Sequence, residues 1–265
     1  MQVGILESEL AIPPAFLRLG HFSRVHIWRV AGVNTYFGNN HQWLQNIREL
    51  RLVCTFDAKD IFEICASATH LENLSLAMTQ PRIRRFPAPV PLPGKDISSA
   101  IALRAHTLKA LEFRATGKKF FLGQISSSGF LECLPNLKKL EKLTTEIPLI
   151  YDFDEADKPK SWFMNKLPPN IVSLELIEWP TLPPDVNHRL RASRNLANPL
   201  LHALATTSLQ YLPRLRRIHY LHSIFNPYYN NDELKEKISL FDPNIISFTW
   251  ASDSLQCRMG IRPFL

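Results

Sequence analysis

Two histidines three residues apart, His219 and His222, and an acidic run of Asp152, Asp154, Glu155 and Asp157 are the residues whose types and spacing invite a chemical reading. Imidazoles three apart on a helix share one side and can hold a metal ion. The residues around His219 instead follow the pattern of a strand entering a turn, where side chains three apart face opposite ways, so no metal site is expected. Clustered carboxylates can bind calcium, but the acidic run lacks the glycine and terminal glutamate of an EF-hand loop. It is expected to be a solvated acidic loop. Cys65 shares an apolar stripe with Ile61 and Ile64, which makes it a core thiol and not a nucleophile. The motifs G-x-G-x-x-G, G-x-x-x-x-G-K-[ST], G-x-S-x-G and H-E-x-x-H do not occur. Only nine glycines are present, which is sparse for loops that cradle phosphates. These residues lead to the expectation of a chain without catalytic activity, cofactor or metal.

If the side chains do no chemistry, the elements that carry them become the subject. The 265 residues are 45% hydrophobic and 21% charged, enough to bury a large core as one elongated domain. Four cysteines without C-x-x-C spacing form no disulfide framework, which suggests a reducing compartment. No basic and apolar leader opens the sequence, and no run of about 18 apolar residues occurs. A cytoplasmic or nuclear protein with no membrane contact is the expectation. The net charge of +7 raises the question of nucleic acid. The basic residues, however, fall in short clusters such as RIRR (82–85) and RLRR (214–217), interleaved with apolar positions and without any recognised nucleic-acid motif. Nucleic acid is therefore not the expected partner, and a scaffold or RNA-binding role is the alternative to a protein-binding one.

The stretch LENLSL (71–76) has the form L-x-x-L-x-L, and the same spacing of large apolar residues returns along the chain. It appears at Phe22, Val25, Ile27; at Ile47, Leu50, Leu52; at Leu71, Leu74, Leu76; and at Leu108, Leu111, Phe113. It returns at Ile171, Leu174, Leu176; at Leu215, Ile218, Tyr220; and at Ile245, Phe248, Trp250. An eighth copy reads either Leu137, Leu140, Lys142 or a shifted register through Leu140 and Leu143. Three positions past six of the eight copies a hydroxyl or carboxylate recurs, at Thr55, Thr79, Thr116, Thr145, Ser223 and Asp253, suited to bonding turn backbone, while Val30 and Trp179 break the column. That column favours the first register, because only there does Thr145 fall into line.

Between the copies, helical spacing is expected at 58–68 after a capping Asp57, at 97–107, at 126–134, at 185–211 with a break or kink at Asn198-Pro199, and at 231–241. The chain reads as one domain over 1–265 with about eight divergent repeats. Segments near 79–96, 151–169 and 223–233 look like protruding insertions.

The divergent strands, the phrases LPPNIVSLELIEWP (167–180) and LPNLKKLEKL (134–143), and the uneven helical connections together resemble the leucine-rich repeat region of fungal F-box-like proteins, from about Phe22 to Trp250. The resemblance implies an α/β solenoid, a curved parallel sheet with helices on its convex side. It also implies a substrate receptor: the repeat surface holds a protein target while an N-terminal F-box docks to a ubiquitin-ligase adaptor. The first 21 residues show no L-P-x-E-I/L-like helical module, so the chain is expected to be a fragment or a relative without the docking part.

In such a solenoid the residue between the last two apolar positions points to the concave surface. That column is expected to be His26, Arg51, Ser75, Glu112, Glu141, Glu175, His219 and Thr249, with three consecutive glutamates at its centre. Like charges on adjacent strands repel, so either a basic segment of a protein target meets them or Arg114 and Lys139 relieve them. The next column outward includes Trp28 and Arg114, and its Leu143, Ile177 and Leu221 are expected to form an exposed apolar strip.

Overall fold

The structure is a computed structural model and describes residues 2–5, 23–31, 42–55, 58–78, 94–115, 131–150, 160–177, 193–222, 236 and 238–252. Nine strands form one all-parallel sheet in which each strand lies beside the next in sequence. They are β1 (Gln2–Ile5), β2 (Arg24–Ala31), β3 (Glu49–Thr55), β4 (Asn73–Met78), β5 (Ala110–Ala115), β6 (Lys142–Glu146), β7 (Ser173–Ile177), β8 (Arg217–His222) and β9 (Ser247–Ser252). Parallel strands require a crossover each time, and the described parts of the connections include four α-helices. These are α1 (Ala58–Ser67), α2 (Gly94–Ala102), α3 (Lys160–Met164) and α4 (Ser193–Tyr211), with 3-10 turns at Gln42–Asn46, Leu134–Asn136 and Ile147–Leu149.

The apolar spacing explains the register. Val25, Leu50, Leu74, Leu111, Leu143, Leu174, Ile218 and Phe248 stand side by side across β2 to β9. Two residues on, Leu52, Leu76, Phe113, Thr145, Leu176 and Tyr220 form a second row pointing the same way. Three residues before the first row, Ile47, Leu71, Leu108, Leu140, Ile171 and Leu215 are all fully buried. These rows pack against Ile61, Ile64 and Cys65 of α1, Ile97 and Ile101 of α2, and Leu200, Leu201 and Leu204 of α4, so the helices cover one face of the sheet.

A backbone ladder fixes the units to one another before each strand begins. The carbonyls of Ser23, Arg48, Glu72, Lys109, Glu141 and Val172 each accept two successive amide N–H groups of the next unit, at 2.7 to 3.1 Å. Bonds of this kind satisfy polar groups at the corner that side chains would otherwise have to meet.

β6 settles the open register against the hydroxyl column. Leu143 pairs with Leu111 and Leu174, so the unit is Leu140-x-x-Leu143-x-Thr145. The alternative would have placed the Lys142 ammonium in the core, whereas here Lys142 is exposed. Thr145 consequently occupies a core row and is fully buried. The side chains of the other hydroxyl-column residues lie outside the described residues.

Several connections differ from expectation. β1 adds a ninth strand, Val3 opposite Val25 and Ile5 opposite Ile27, before the eight repeats. α4 runs through Asn198-Pro199 without ending there. Proline in a helix interior costs about 3 kcal/mol, while the burial of Leu200, Leu201 and Leu204 contributes roughly 1.5–3 kcal/mol each, so the helix persists. α2 begins at Gly94 and ends at Ala102, earlier than expected at both ends. Of the expected helix 126–134, residues 131–136 form a turn and a 3-10 helix carrying Pro135, and the rest lies outside the described residues. Within 231–241 only Glu236, Ile238 and Ser239 are described as helical. Of the three expected insertions, 79–93, 151–159 and 223–233 lie outside the described residues, as do Asp57 and the acidic run 152–157. The remainder of 151–169 is not a protrusion, since Phe163, Met164 and Leu167 are buried in the core.

At the end of the sheet, Ile245 and Trp250 are not buried as expected, although Trp250 stands opposite the core residue Tyr220. They are 36% and 40% exposed, and Ile246 is buried in place of Ile245. β9 pairs only with β8 among the described residues, so one flank of its side chains has no neighbouring strand. Phe248 is partly buried and stacks on Phe241 with ring centroids 4.8 Å apart.

Candidate protein-interaction face

Side chains of the intervening residues point away from the core and form the outer face of the sheet. Its central column, in register across β2 to β9, is His26, Arg51, Ser75, Glu112, Thr144, Glu175, His219 and Thr249. Seven of the eight expected positions are met. Thr144 stands where Glu141 was expected, because of the shift in β6, so the run of three consecutive glutamates does not arise. Glu141 lies instead at the rim, just before β6, with its carboxylate 3.6 Å from Arg214 Nη2.

The expected exposed apolar strip is not formed. Leu143 is 1% exposed and belongs to the core row. Ile177 and Leu221 do pair across β7 and β8 on the outer face, but they are 4% and 9% exposed. Val53 and Ala77 in the same column are buried as well. Apolar side chains flanked by strand neighbours on both sides have little surface left to show, and covering the remainder is favourable. Trp28 takes its expected place opposite Val53, and its side chain lies outside the described residues.

Ion pairs organise the polar part of the face. Arg114 approaches Glu112 with Nε 2.6 Å from Oε1, an ion contact without the angle of a hydrogen bond, and its Nη2 donates to Glu175 Oε1 at 3.2 Å. Ser75 Oγ donates to Glu112 Oε2 at 2.8 Å. The repulsion expected between the glutamates is thus relieved by Arg114 from within the protein. Lys139 does not reach this pair, and acts instead as one of the cations that favour ionised Glu72. At the other end, Glu49 is shared by Arg24 at 3.0 Å and the buried His26 at 3.2 Å. His219 Nδ1 lies 2.7 Å from Thr249 Oγ1. Along the rim, Glu72 is paired with Lys109 at 2.8 Å and Arg48 at 3.3 Å. The hydrogen bond from Lys109 holds the Glu72 carboxyl below the usual carboxylate range, with Lys109 and Arg48 adding charge attraction.

One column of the face was missed by sequence reasoning: the residue just before the second apolar position of each unit. It reads Arg24, Glu49, Asn73, Ala110, Lys142, Ser173, Arg217 and Ser247, in register. The same period-two alternation that identifies the central column would have found it.

No group of three or more His, Cys, Asp or Glu residues able to hold a metal occurs among the described residues. His219 lies within β8, as the strand pattern required. Cys65 is fully buried on α1, and burial pushes its thiol up to about 12, against a weaker opposing pull from Arg104. Burial raises the Cys133 thiol too, and its backbone N–H donates to Ser98 Oγ at 2.7 Å. No helix among the described residues is long and apolar enough to cross a membrane. Neither a protein-family model, nor a curated protein, nor a solved structure matches the chain.

Proposed function

We propose that this chain is a non-catalytic protein-interaction module of the leucine-rich repeat type, which receives a protein target on the outer face of its parallel sheet. The observation that supports this most directly is the alignment of eight side chains, His26 to Thr249, in one row across adjacent strands. Strands held at both flanks, as β2 to β8 are, present such a row at fixed spacing, so little order has to be imposed when a partner docks. Lateral contacts such as Ser75 to Glu112 and His219 to Thr249 hold several of these side chains in place.

The resemblance to fungal F-box-like proteins extends the reading. In that case the target is a substrate for ubiquitin transfer, and a longer form of the chain carries the F-box that meets the ligase adaptor. Affinity capture from a native extract tests both parts, using the chain and its Thr144→Arg, Thr249→Arg variant, with and without nuclease. The proposal expects a protein target that survives nuclease and is lost from the variant. A target retained equally by the variant, or lost on nuclease treatment, would overturn it. Recovery of a ligase adaptor with the longer form alone is the result expected for F-box attachment.

A further inference from the structure

We infer that the outer face recognises an acidic peptide segment, at a site formed by Lys142, Ser173 and Arg217; this rests on the protein-interaction reading above. The charge pairing of the face leads to it. Glu49 is met by Arg24 and His26, Glu72 by Lys109 and Arg48, Glu112 and Glu175 by Arg114, and Glu141 by Arg214. Lys142 and Arg217 are exposed, and neither forms an ion pair with any other described residue. Among the described residues, the exposed cations left over beside Ser173 are thus Lys142 and Arg217, the opposite of what the expected glutamate run implied.

The register brings the two cations together. Lys142 stands opposite Ser173, and Ser173 opposite Arg217, on three neighbouring strands. Neighbouring strands lie about 4.8 Å apart, which puts the two cationic residues about 10 Å apart with a serine hydroxyl between them. A carboxylate or phosphoryl group above Ser173 is within reach of both long side chains, with Arg217 able to bond it through two N–H groups and Lys142 as a point charge. Exposed Lys138 and Lys139 continue the positive rim towards the N-terminal side of β6. Arg216 is committed elsewhere, donating to the carbonyls of Pro213 and Leu215 at 2.8 Å each.

A peptide fits this patch better than a nucleic acid. A polynucleotide carries a phosphate at every step and needs a continuous cationic track. Here Glu141 borders the patch at the rim, and Glu175 lies two residues beyond Ser173 on the same face of β7. A peptide can present its acidic groups only where the cations stand.

Fluorescence anisotropy with short labelled peptides tests the site: a glutamate-rich peptide, its phosphoserine-containing form, the glutamine-for-glutamate counterpart, and a single-stranded RNA of similar length. The full chain is compared with Lys142→Gln, Arg217→Gln and with the charge-matched control Lys59→Gln, Lys95→Gln on the helical side. Urea midpoints confirm that both variants remain folded. The expected result is binding of the two acidic peptides but not the glutamine peptide, weakened about tenfold or more by Lys142→Gln, Arg217→Gln, with a reduced salt dependence, and unchanged in the control. Whichever acidic peptide binds more tightly separates carboxylate from phosphoryl recognition. Equal binding of the glutamine peptide, equal loss in both variants, or tighter binding of RNA through the same two residues would overturn the inference. If a native target depends on Thr144 and Thr249 while no acidic peptide binds, this inference fails and the protein-interaction reading survives.

Discussion

Arg114 on β5 places a guanidinium nitrogen 3.2 Å from a carboxylate oxygen of Glu175 on β7, reaching across β6, which lies between the two strands. The residue beneath it is Thr144, in register between Glu112 and Glu175. A short side chain there leaves room for the arginine to span a distance of about 10 Å between strands. A glutamate at this place, as the first reading of β6 would have it, would have added a third carboxylate to a single cation. The actual arrangement is one cation shared by two carboxylates, and all three side chains are largely covered.

Arg114→Met should therefore lower stability by about 1–3 kcal/mol, because it leaves Glu112 and Glu175 without their shared cation. Chemical unfolding measures this. In a double-mutant cycle, Glu175→Gln is expected to recover part of the loss, since it removes one of the two carboxylates that Arg114 meets. Strictly additive effects would show that the two residues do not interact.

The register of β6 predicts a contrast between near neighbours. Leu143→Ala should cost about 2–5 kcal/mol, as for a core leucine, whereas Glu141→Ala at the rim should stay within about 0.5 kcal/mol. Unfolding midpoints of the two variants decide the matter. Similar costs would return β6 to the other register.

How far the sequence carried the fold can be judged at this same strand. Period-two alternation was enough to align seven units, because in each of them the residues three and two apart are large and apolar. It failed at 137–145 because Leu137, Leu140 and Leu143 are all spaced by three and permit two registers. Lys142 distinguishes them, since a core position for its ammonium is costly, whereas the hydroxyl column through Thr145 points to the register that does not form. β1 escaped notice because Val3 and Ile5 supply only two positions of the pattern. The central column was readable for the same reason as the strands. The burial of Ile177 and Leu221 was not, because alternation assigns a side chain to a face and not the share of it that flanking strands leave exposed.

Thr145 carries a second consequence of its place in the core. Its Oγ1 is buried and has no hydrogen-bond partner, while the matching positions on β5 and β7 are Phe113 and Leu176. Thr145→Val removes that hydroxyl at nearly constant shape and should raise stability by about 1 kcal/mol or more. A decrease in the unfolding midpoint would show that the hydroxyl is satisfied in solution.

The thiols of Cys65 and Cys133 should resist alkylation in the native protein. Burial pushes Cys65 up to about 12 and raises Cys133, so both stay protonated near neutral pH and out of contact with reagent. Peptide mapping after iodoacetamide treatment should find both unmodified in buffer and modified in denaturant. Rapid labelling of Cys65 in buffer would contradict its assignment to the core.

Glu72 gives a pH dependence of definite sign. Its folded carboxyl titrates below the ordinary value of 4.5, so its contribution is fully present above that value and is lost as the pH falls through the folded one. Glu72→Gln should accordingly lose less stability than the parent protein between neutral pH and the acid limb. Since Lys109 is about half exposed and Glu72 partly so, added salt should shrink the difference. An acid limb unchanged by the substitution would remove Glu72 from the account.

The claim on which the functional reading depends is that partners meet the sheet's outer face and not its helical side. Site-specific photo-crosslinking tests it most directly, with a photoreactive residue placed in turn at Thr144 and Ser173 on the outer face, and at Phe62 and Leu209 on the exposed sides of α1 and α4. The prediction is adducts to one protein target from Thr144 and Ser173 and none from Phe62 or Leu209. Adducts from the helical positions alone would contradict it.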